Sequence, residues 1–214
     1  CIVAREVWAN LVFLSTDKAA APNTHYGATK LAAERLWRGW NVYAAGTATR
    51  FSATRYGNVL GSTGSVLQLW RSQHLANEPI TITDVRCTRF WMTMRDAVAL
   101  VELALTRMRG GEVFVPRCGA APVLDLARAI VETEGAYGPG HIEIGLRPGE
   151  KIHETLISGD EARHTYAFAG FYLLEPEVRT WAELPVPQAE ILSRPFTSDT
   201  NPRQLTVNEL REML

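Results

Sequence analysis

Along the 214 residues, short unbroken apolar runs alternate with stretches in which apolar residues return every three or four positions. "NLVFLST" (10–16) is such a run ending in small polar residues, the mark of a strand buried on both faces of a parallel sheet. A site is then expected at its C-terminal end. From Tyr26 to about Tyr43, Leu31, Ala32, Leu36, Trp37 and Trp40 recur at helical spacing, with Pro22 and Asn23 as a start signal just upstream. "ATRFSATRYGNV" (48–59) reads as a second strand, "GSVLQLWRSQHLA" (64–76) as a helix and "MRDAVALVELALTRM" (94–108) as a strongly amphipathic helix. "EVFVP" (112–116) predicts a buried strand, "VLDLARAIVETE" (123–134) a helix and "HIEIGL" (141–146) a short strand. A helix is expected to open near "GEKIHETLI" (149–157), and "FYLLEP" (171–176) is a further apolar run. Such alternation defines an α/β fold built on a parallel sheet. "EGAYGPGH" (134–141) is the best candidate for a boundary.

Composition narrows the function classes. With 46% hydrophobic residues the chain has enough apolar material for a real core, and disorder is excluded. The 22 basic and 23 acidic residues are spread without runs, which leaves no electrostatic footprint for nucleic acid or an anionic membrane surface. Cys1, Cys87 and Cys118 are too few and too widely spaced for a disulfide framework or a zinc site, and fit a reducing compartment. No apolar run approaches the roughly 20 residues of a membrane span, so a cytoplasmic protein is expected. The five histidines show no metal-ligand spacing, and the six tryptophans lie mostly on helical apolar faces.

The chemistry concentrates in "STDKAAAPNTHYGATK" (15–30). Tyr26 and Lys30 stand one helical turn apart and share a face, which brings an ammonium near a phenol. A phenol titrates near ~10, so its use as a base at neutral pH needs the anion favoured by roughly 4 kcal/mol, which a lysine and a cationic nicotinamide can supply. The same spacing also arises in any amphipathic helix with a snorkelling lysine. What distinguishes this one is the company of Thr16, Asp17 and Lys18, a hydroxyl, a carboxylate and an amine where a parallel strand ends and α/β proteins hold ligands.

Six ordered blocks carry a family resemblance: "STDKAAAPNTHYGATKLAAERL", "TRFSATRYGNVLGSTGSV", "ITITDVRCTRFWMT", "RMRGGEVFVPR", "LRPGEKIHETLIS" and the closing "SDTNPRQLTVNELREML". Together they resemble the inverting UDP-N-acetylglucosamine 4,6-dehydratases, a branch of the extended short-chain dehydrogenase/reductase superfamily. The resemblance implies a Rossmann-like sheet, an NADP cofactor and a UDP-sugar substrate. It implies that Tyr26, with Lys30 lowering its pKa and Thr16 holding the sugar O4, removes the O4 proton as the C4 hydride leaves. Lys18 is then the implied base for the C5 proton and Asp17 the acid for the departing C6 hydroxyl, with exchange of these two roles left open. Arg147 suits the diphosphate and Glu150 the ribose hydroxyls, although the pair also reads as an exposed cap at a helix start. Asn58 resembles the family's substrate-contacting asparagine, and "CTRF" offers Arg89 as a second candidate phosphate ligand. Thr63 stands where relatives carry arginine, so no contact is carried over to it.

No strand with a glycine-rich pyrophosphate turn precedes "VWANLVFLST" in this sequence, and "GNVLGSTG" follows the tyrosine helix. By resemblance, roughly 100 or more residues, the first βαβαβ half, are expected to lie outside this chain. The strand at 10–16 would then be an open edge, and the chain is expected to form a homo-oligomer or to associate with a chain supplying that half. Residues 1–118 are expected to form the C-terminal part of the dinucleotide-binding domain and 119–214 a smaller substrate-binding region. Two alternatives accompany the dehydratase: a sugar-nucleotide epimerase, which needs no Asp17–Lys18 pair, and a non-catalytic nucleotide-sugar binding remnant.

Overall fold

The computed structural model describes residues 1–7, 9–62, 64–134, 140–178 and 190–214. In chain order the elements are α1 (Ile2–Glu6), β1 (Asn10–Leu14), α2 (His25–Tyr43), β2 (Arg50–Thr54), β3 (Asn58–Val59), α3 (Val66–Leu75), β4 (Ile80–Ile82) and β5 (Thr88–Met92). They continue as α4 (Met94–Arg107), β6 (Val113–Pro116), β7 (Gly119–Pro122), α5 (Val123–Glu134), β8 (His141–Glu143) and β9 (Thr155–Ile157). The last are α6 (Gly159–Ala162), β10 (Thr165–Ala167), β11 (Phe171–Leu174), β12 (Glu190–Ile191), β13 (Phe196–Thr197) and α7 (Val207–Glu212). A 3₁₀ turn, Asp17–Ala19, sits between β1 and α2.

The chain divides into two compact units, one of residues 1–56, 98–117 and 155–196, the other of 57–97, 118–154 and 197–214. They are interleaved, and the boundary expected at 118/119 lies beside one of five crossings. The first unit holds a six-stranded sheet in the order β1-β2-β6-β11-β10-β12. β1, β2 and β6 run parallel, and β11, β10 and β12 add antiparallel strands. Strand β6 is fully buried, as its unbroken apolar run demands, whereas β1 is only half-buried and Leu14 is 49% exposed. The expectation of burial on both faces thus fails for β1, because it stands at the edge of this sheet with β2 as its one described neighbour.

The second unit packs the three-stranded sheet β3-β5-β7 and the parallel pair β4–β8 with α3, α5 and α7 around Trp70, Ile82, Cys87, Trp91, Leu126 and Leu210. Residues 149–157 are not helical. Gly149 has φ +76°, His153 forms a parallel bridge to Thr88, and the segment continues into β9. The helical spacing of Ile152 and Leu156 loses to pairing with residues distant in sequence, a contribution no local pattern contains. The candidate boundary at 134–141 falls mostly on residues outside those described, as does Thr63.

Helix α2 carries a second correction. Its buried positions are Gly27, Glu34 and Asn41, spaced by seven, while Leu36 of the expected apolar stripe is 70% exposed. Polar contacts hold this face to the sheet. Asn41 accepts from the Phe51 N–H at 3.0 Å through Oδ1 and donates to the Phe51 carbonyl at 2.7 Å through Nδ2.

Candidate active site

The end of β1 delivers Ser15, Thr16 and Asp17 to a loop pinned on both sides. The Ser15 N–H donates to the Thr54 carbonyl at 2.8 Å and the Asp17 N–H to the Tyr56 carbonyl at 3.0 Å. Thr16 caps the 3₁₀ turn. Its hydroxyl donates to Asp17 Oδ1 at 2.8 Å, and Lys18 Nζ donates to the same oxygen at 3.0 Å. Asp17 is completely buried, Lys18 is 45% exposed along its side chain, and Asp17 Oδ2 is buried without a hydrogen-bond partner among the described residues. Such an orphaned oxygen is costly, typically about 1–3 kcal/mol, and marks a position where a proton or a ligand hydroxyl belongs.

Helix α2 begins at Thr24, whose hydroxyl accepts from the Gly27 N–H at 3.0 Å. Gly27 lets the helix approach the Asp17–Lys18 turn. A Cβ there would lie 2.5 Å from the Lys18 carbonyl oxygen and 3.0 Å from Pro22 Cβ, so no other residue fits without displacement. One residue earlier Tyr26 is 54% exposed, and one turn later Lys30 Nζ lies 6.0 Å from the Tyr26 ring centre and 5.4 Å from that of Phe13. The structure therefore brings Thr16, Asp17, Lys18, Tyr26 and Lys30 into one region of the first unit. Neither the phenol of Tyr26 nor the ammonium of Lys30 makes a hydrogen bond among the described residues, so both offer polar atoms to a ligand.

The remaining expected residues lie in the second unit. Arg89 is buried; its Nη2 donates to Glu150 Oε1 at 2.9 Å and its Nη1 to the carbonyls of Thr88 and Ile152 at 2.8 and 3.0 Å. Glu150 also accepts from the Thr83 hydroxyl at 2.9 Å and from the Arg147 N–H at 3.2 Å. Arg147 and Glu150 thus form a tight turn, closed by the Glu150 N–H donating to the Arg147 carbonyl at 2.9 Å, where a helix start was expected. The carboxylate folds inward and the Arg147 side chain is exposed, with no bond to a described residue. Asn58 on β3 pairs with Trp91 of β5, the strand that carries Arg89. Gly57 permits that pairing, since a Cβ there would lie 2.6 Å from Phe90 Cβ.

Sequence reasoning missed a buried network in the first unit. Arg55 binds Glu34 with two hydrogen bonds of 3.1 and 2.6 Å and Glu161 with two of 2.9 Å, and Ser15 Oγ donates to Glu34 Oε2 at 2.5 Å. Burial opposes the Arg55 charge, but Glu34 and Glu161 more than offset it and hold its pKa above the ordinary value. Burial likewise pushes the Glu161 carboxyl up, and Arg55 together with Ser158 pulls it, on balance, below the usual glutamate value. An arginine directly after β2 and a glutamate continuing the Tyr26–Lys30 face were the available signals.

Parallel β1, β2 and β6, a polar turn after β1 and a Tyr–Lys pair on the following helix define a Rossmann-like fold of the short-chain dehydrogenase/reductase type. The chain belongs to the family of polysaccharide biosynthesis proteins, whose model matches residues 2–176. It is 42% identical over 169 residues to the UDP-N-acetylglucosamine 4,6-dehydratase (inverting) of Campylobacter jejuni, covering 78% of this chain and 49% of that relative. The crystal structure of Pen from Bacillus thuringiensis superposes with a TM-score of 0.85 at 31% identity, covering 99% of this chain and 63% of that one. The dTDP-glucose 4,6-dehydratase of Bacillus anthracis, solved with NAD, shares the fold at a TM-score of 0.59 and 18% identity over 69% of this chain and 54% of its own. The chain spans about half the length of the curated relatives it matches.

Proposed function

We propose that this chain carries the acid–base centre of an NADP-dependent UDP-N-acetylglucosamine 4,6-dehydratase that inverts C5 and yields a 4-keto-6-deoxy sugar nucleotide for surface glycan synthesis. The observation that carries the reading is the Lys18–Asp17 contact with its buried, unpartnered Oδ2. Elimination across C5 and C6 needs a neutral amine and a protonated carboxyl at once. Moving one proton from Lys18 Nζ to Asp17 across their 3.0 Å contact produces both, with no net charge change in the buried site. Lys18 then takes the C5 proton, made acidic by the C4 ketone, while Asp17 gives its proton to the departing C6 hydroxyl, and water leaves. The pair returns to the ion pair seen here. An epimerase, which needs redox chemistry at C4 alone, has no use for it.

Tyr26 removes the O4 proton before this step, with the Lys30 ammonium favouring the phenolate and Thr16 holding O4. That last role requires the Thr16 hydroxyl, which here donates to Asp17, to turn and donate to O4, whose single proton is directed at Tyr26. The chemistry a bound NADP+ supplies is reversible hydride acceptance, from C4 outward and to C6 on return. Tyr26 and Lys30 are the residues of this chain that would hold its ribose and nicotinamide end. Arg147 is assigned to the UDP diphosphate, Glu150 to the ribose and Asn58 to the sugar. A homo-oligomer, or association with a chain that supplies a pyrophosphate-binding half, is the proposed working assembly. The cytoplasm is the proposed setting, since three widely spaced cysteines with no C-x-x-C pair fit a reducing compartment.

The test is isotopic. In D₂O, with UDP-N-acetylglucosamine and the intact enzyme, Lys18→Ala should abolish deuterium entry at C5 while the C4 hydride step persists, and Tyr26→Phe should block both. Unchanged deuterium entry in the Lys18 variant removes Lys18 from the mechanism.

A further inference from the structure

Tyr26, Lys30, Glu34 and Arg38 recur every four residues along α2, from the exposed phenol to a carboxylate with no exposure at all. Two turns beyond Tyr26, Glu34 takes the Ser15 hydroxyl at 2.5 Å, and Ser15 directly precedes Thr16 and Asp17. The Ser15 and Asp17 amides are held by the carbonyls of Thr54 and Tyr56, the residues flanking Arg55, and Arg55 grips Glu34 through both carboxylate oxygens. A closed cycle of contacts therefore joins the carboxylate-bearing turn, the end of β2 with the residues just after it, and the helix of the candidate base. Charge is balanced within it: Glu34 and Glu161 face Arg55, and Arg38 Nη1 lies 3.9 Å from Glu34.

We propose that Ser15, Glu34 and Arg55 form a positioning unit that fixes the Thr16–Asp17–Lys18 turn relative to Tyr26 and Lys30; as a statement about catalysis this rests on the dehydratase reading. Two proton transfers must act on one sugar ring, the O4 proton from the α2 side and the C5 proton from the turn. A bidentate arginine–carboxylate pair supplies direction as well as attraction, and buried it has few alternative geometries. An apolar contact would hold the same elements together without setting their register. The energy of a buried ion pair is largely cancelled by desolvation, so its contribution here is geometric. Misplacement by about 1 Å is enough to cost roughly a hundredfold in rate.

Ser15→Ala removes the Ser15–Glu34 link between turn and helix and leaves the Glu34–Arg55–Glu161 pairs in place, so the fold is retained. Glu161→Gln loosens the same network away from the turn and serves as the structural control. Amide hydrogen exchange across Thr16–Lys18 reads position without any activity. The ratio of C5 deuterium entry to C4 hydride transfer, in the intact enzyme with UDP-N-acetylglucosamine, reads its consequence. Ser15→Ala should speed exchange at the Asp17 amide and lower the ratio, each by about three- to tenfold, with KM unchanged, as loss of one hydrogen bond allows. Glu161→Gln should lower the denaturation midpoint and leave the ratio within about twofold, because its damage affects both steps alike. Unchanged protection at Thr16–Lys18 in Ser15→Ala, an unchanged ratio there, or an equal shift in Glu161→Gln overturns the proposal. A wild-type enzyme with no C5 deuterium entry would remove the dehydratase reading instead, and the amide exchange would then decide the positioning unit alone.

Discussion

Two arginines of the second unit are alike in sequence prospects and different in surroundings. The Arg89 guanidinium is engaged by Glu150 and two carbonyls, whereas Arg147 stands exposed on a turn whose carboxylate points inward. Arg147 thus keeps its guanidinium unengaged among the described residues while Arg89 braces the turn that carries it, and the proposed diphosphate role of Arg147 rests on that difference. Losing a charge-assisted bond costs about 1.5–3 kcal/mol, so Arg147→Ala should weaken UDP binding roughly ten- to a hundredfold by calorimetry while leaving the unfolding midpoint unchanged. Arg89→Ala breaks a buried pair and should lower stability by about 3–5 kcal/mol. Equal UDP affinity in Arg147→Ala would end that assignment. The proximity of Tyr26, Lys30, Asp17 and Lys18 was legible in the sequence because a strand end and the first turns of the next helix are neighbours in a parallel α/β unit. Ser15, Glu34 and Arg55 were not, because their partners lie 19 to 21 positions away and meet only through the fold.

At the scale of elements, α6 is four residues long and survives through its cap and its partner rather than through helix propensity. Ser158 Oγ accepts from the Glu161 N–H at 3.3 Å, the Ser158 N–H donates to Glu161 Oε2 at 2.9 Å, and the same carboxylate binds Arg55. The Glu161 pKa is lower folded than unfolded, so its stabilisation is complete above the unfolded value near ~4.5 and is lost as pH falls through the folded value. Asp199 is depressed too, so a pH dependence remains without Glu161. Urea midpoints followed downward from pH 6 should therefore fall below about pH 4.5, and Glu161→Gln should flatten that fall without abolishing it. An identical slope in the variant would show that the carboxylate does not feel Arg55. The helices α2, α3, α4 and α5 and the strands β1 and β6 were readable within a few residues, whereas the run 48–59, expected as one strand, is divided between β2 and β3 in different sheets. The extended run through His153 into β9 was not readable, since its bridge is to Thr88 and the Glu154 carbonyl accepts from the Ser198 N–H at 2.9 Å.

For the whole molecule, the decisive feature is that each unit is assembled from separate stretches of chain. In the first, β6 lies between β2 and β11, and its register with β11 joins Val113–Pro116 to residues 171–174. Arg55 likewise depends on Glu161. In the second, β5 lies between β3 and β7, and Trp70, Ile82 and Trp91 share a core with Leu126, Ile130, Leu205 and Leu210. A cut at 118/119 separates the members of every one of these sets except β2 from β6 and β3 from β5. The fragment 1–118 keeps an arginine in the interior with half its carboxylates gone, and 119–214 keeps α5 and α7 without the tryptophans they cover. Removing such large side chains from a core costs about 3–5 kcal/mol each, comparable with the whole stability of a small domain. Neither fragment expressed alone should show a cooperative urea transition or slow amide exchange, whereas the two coexpressed should recover both. A sigmoidal transition in either isolated fragment would establish consecutive domains divided at that point.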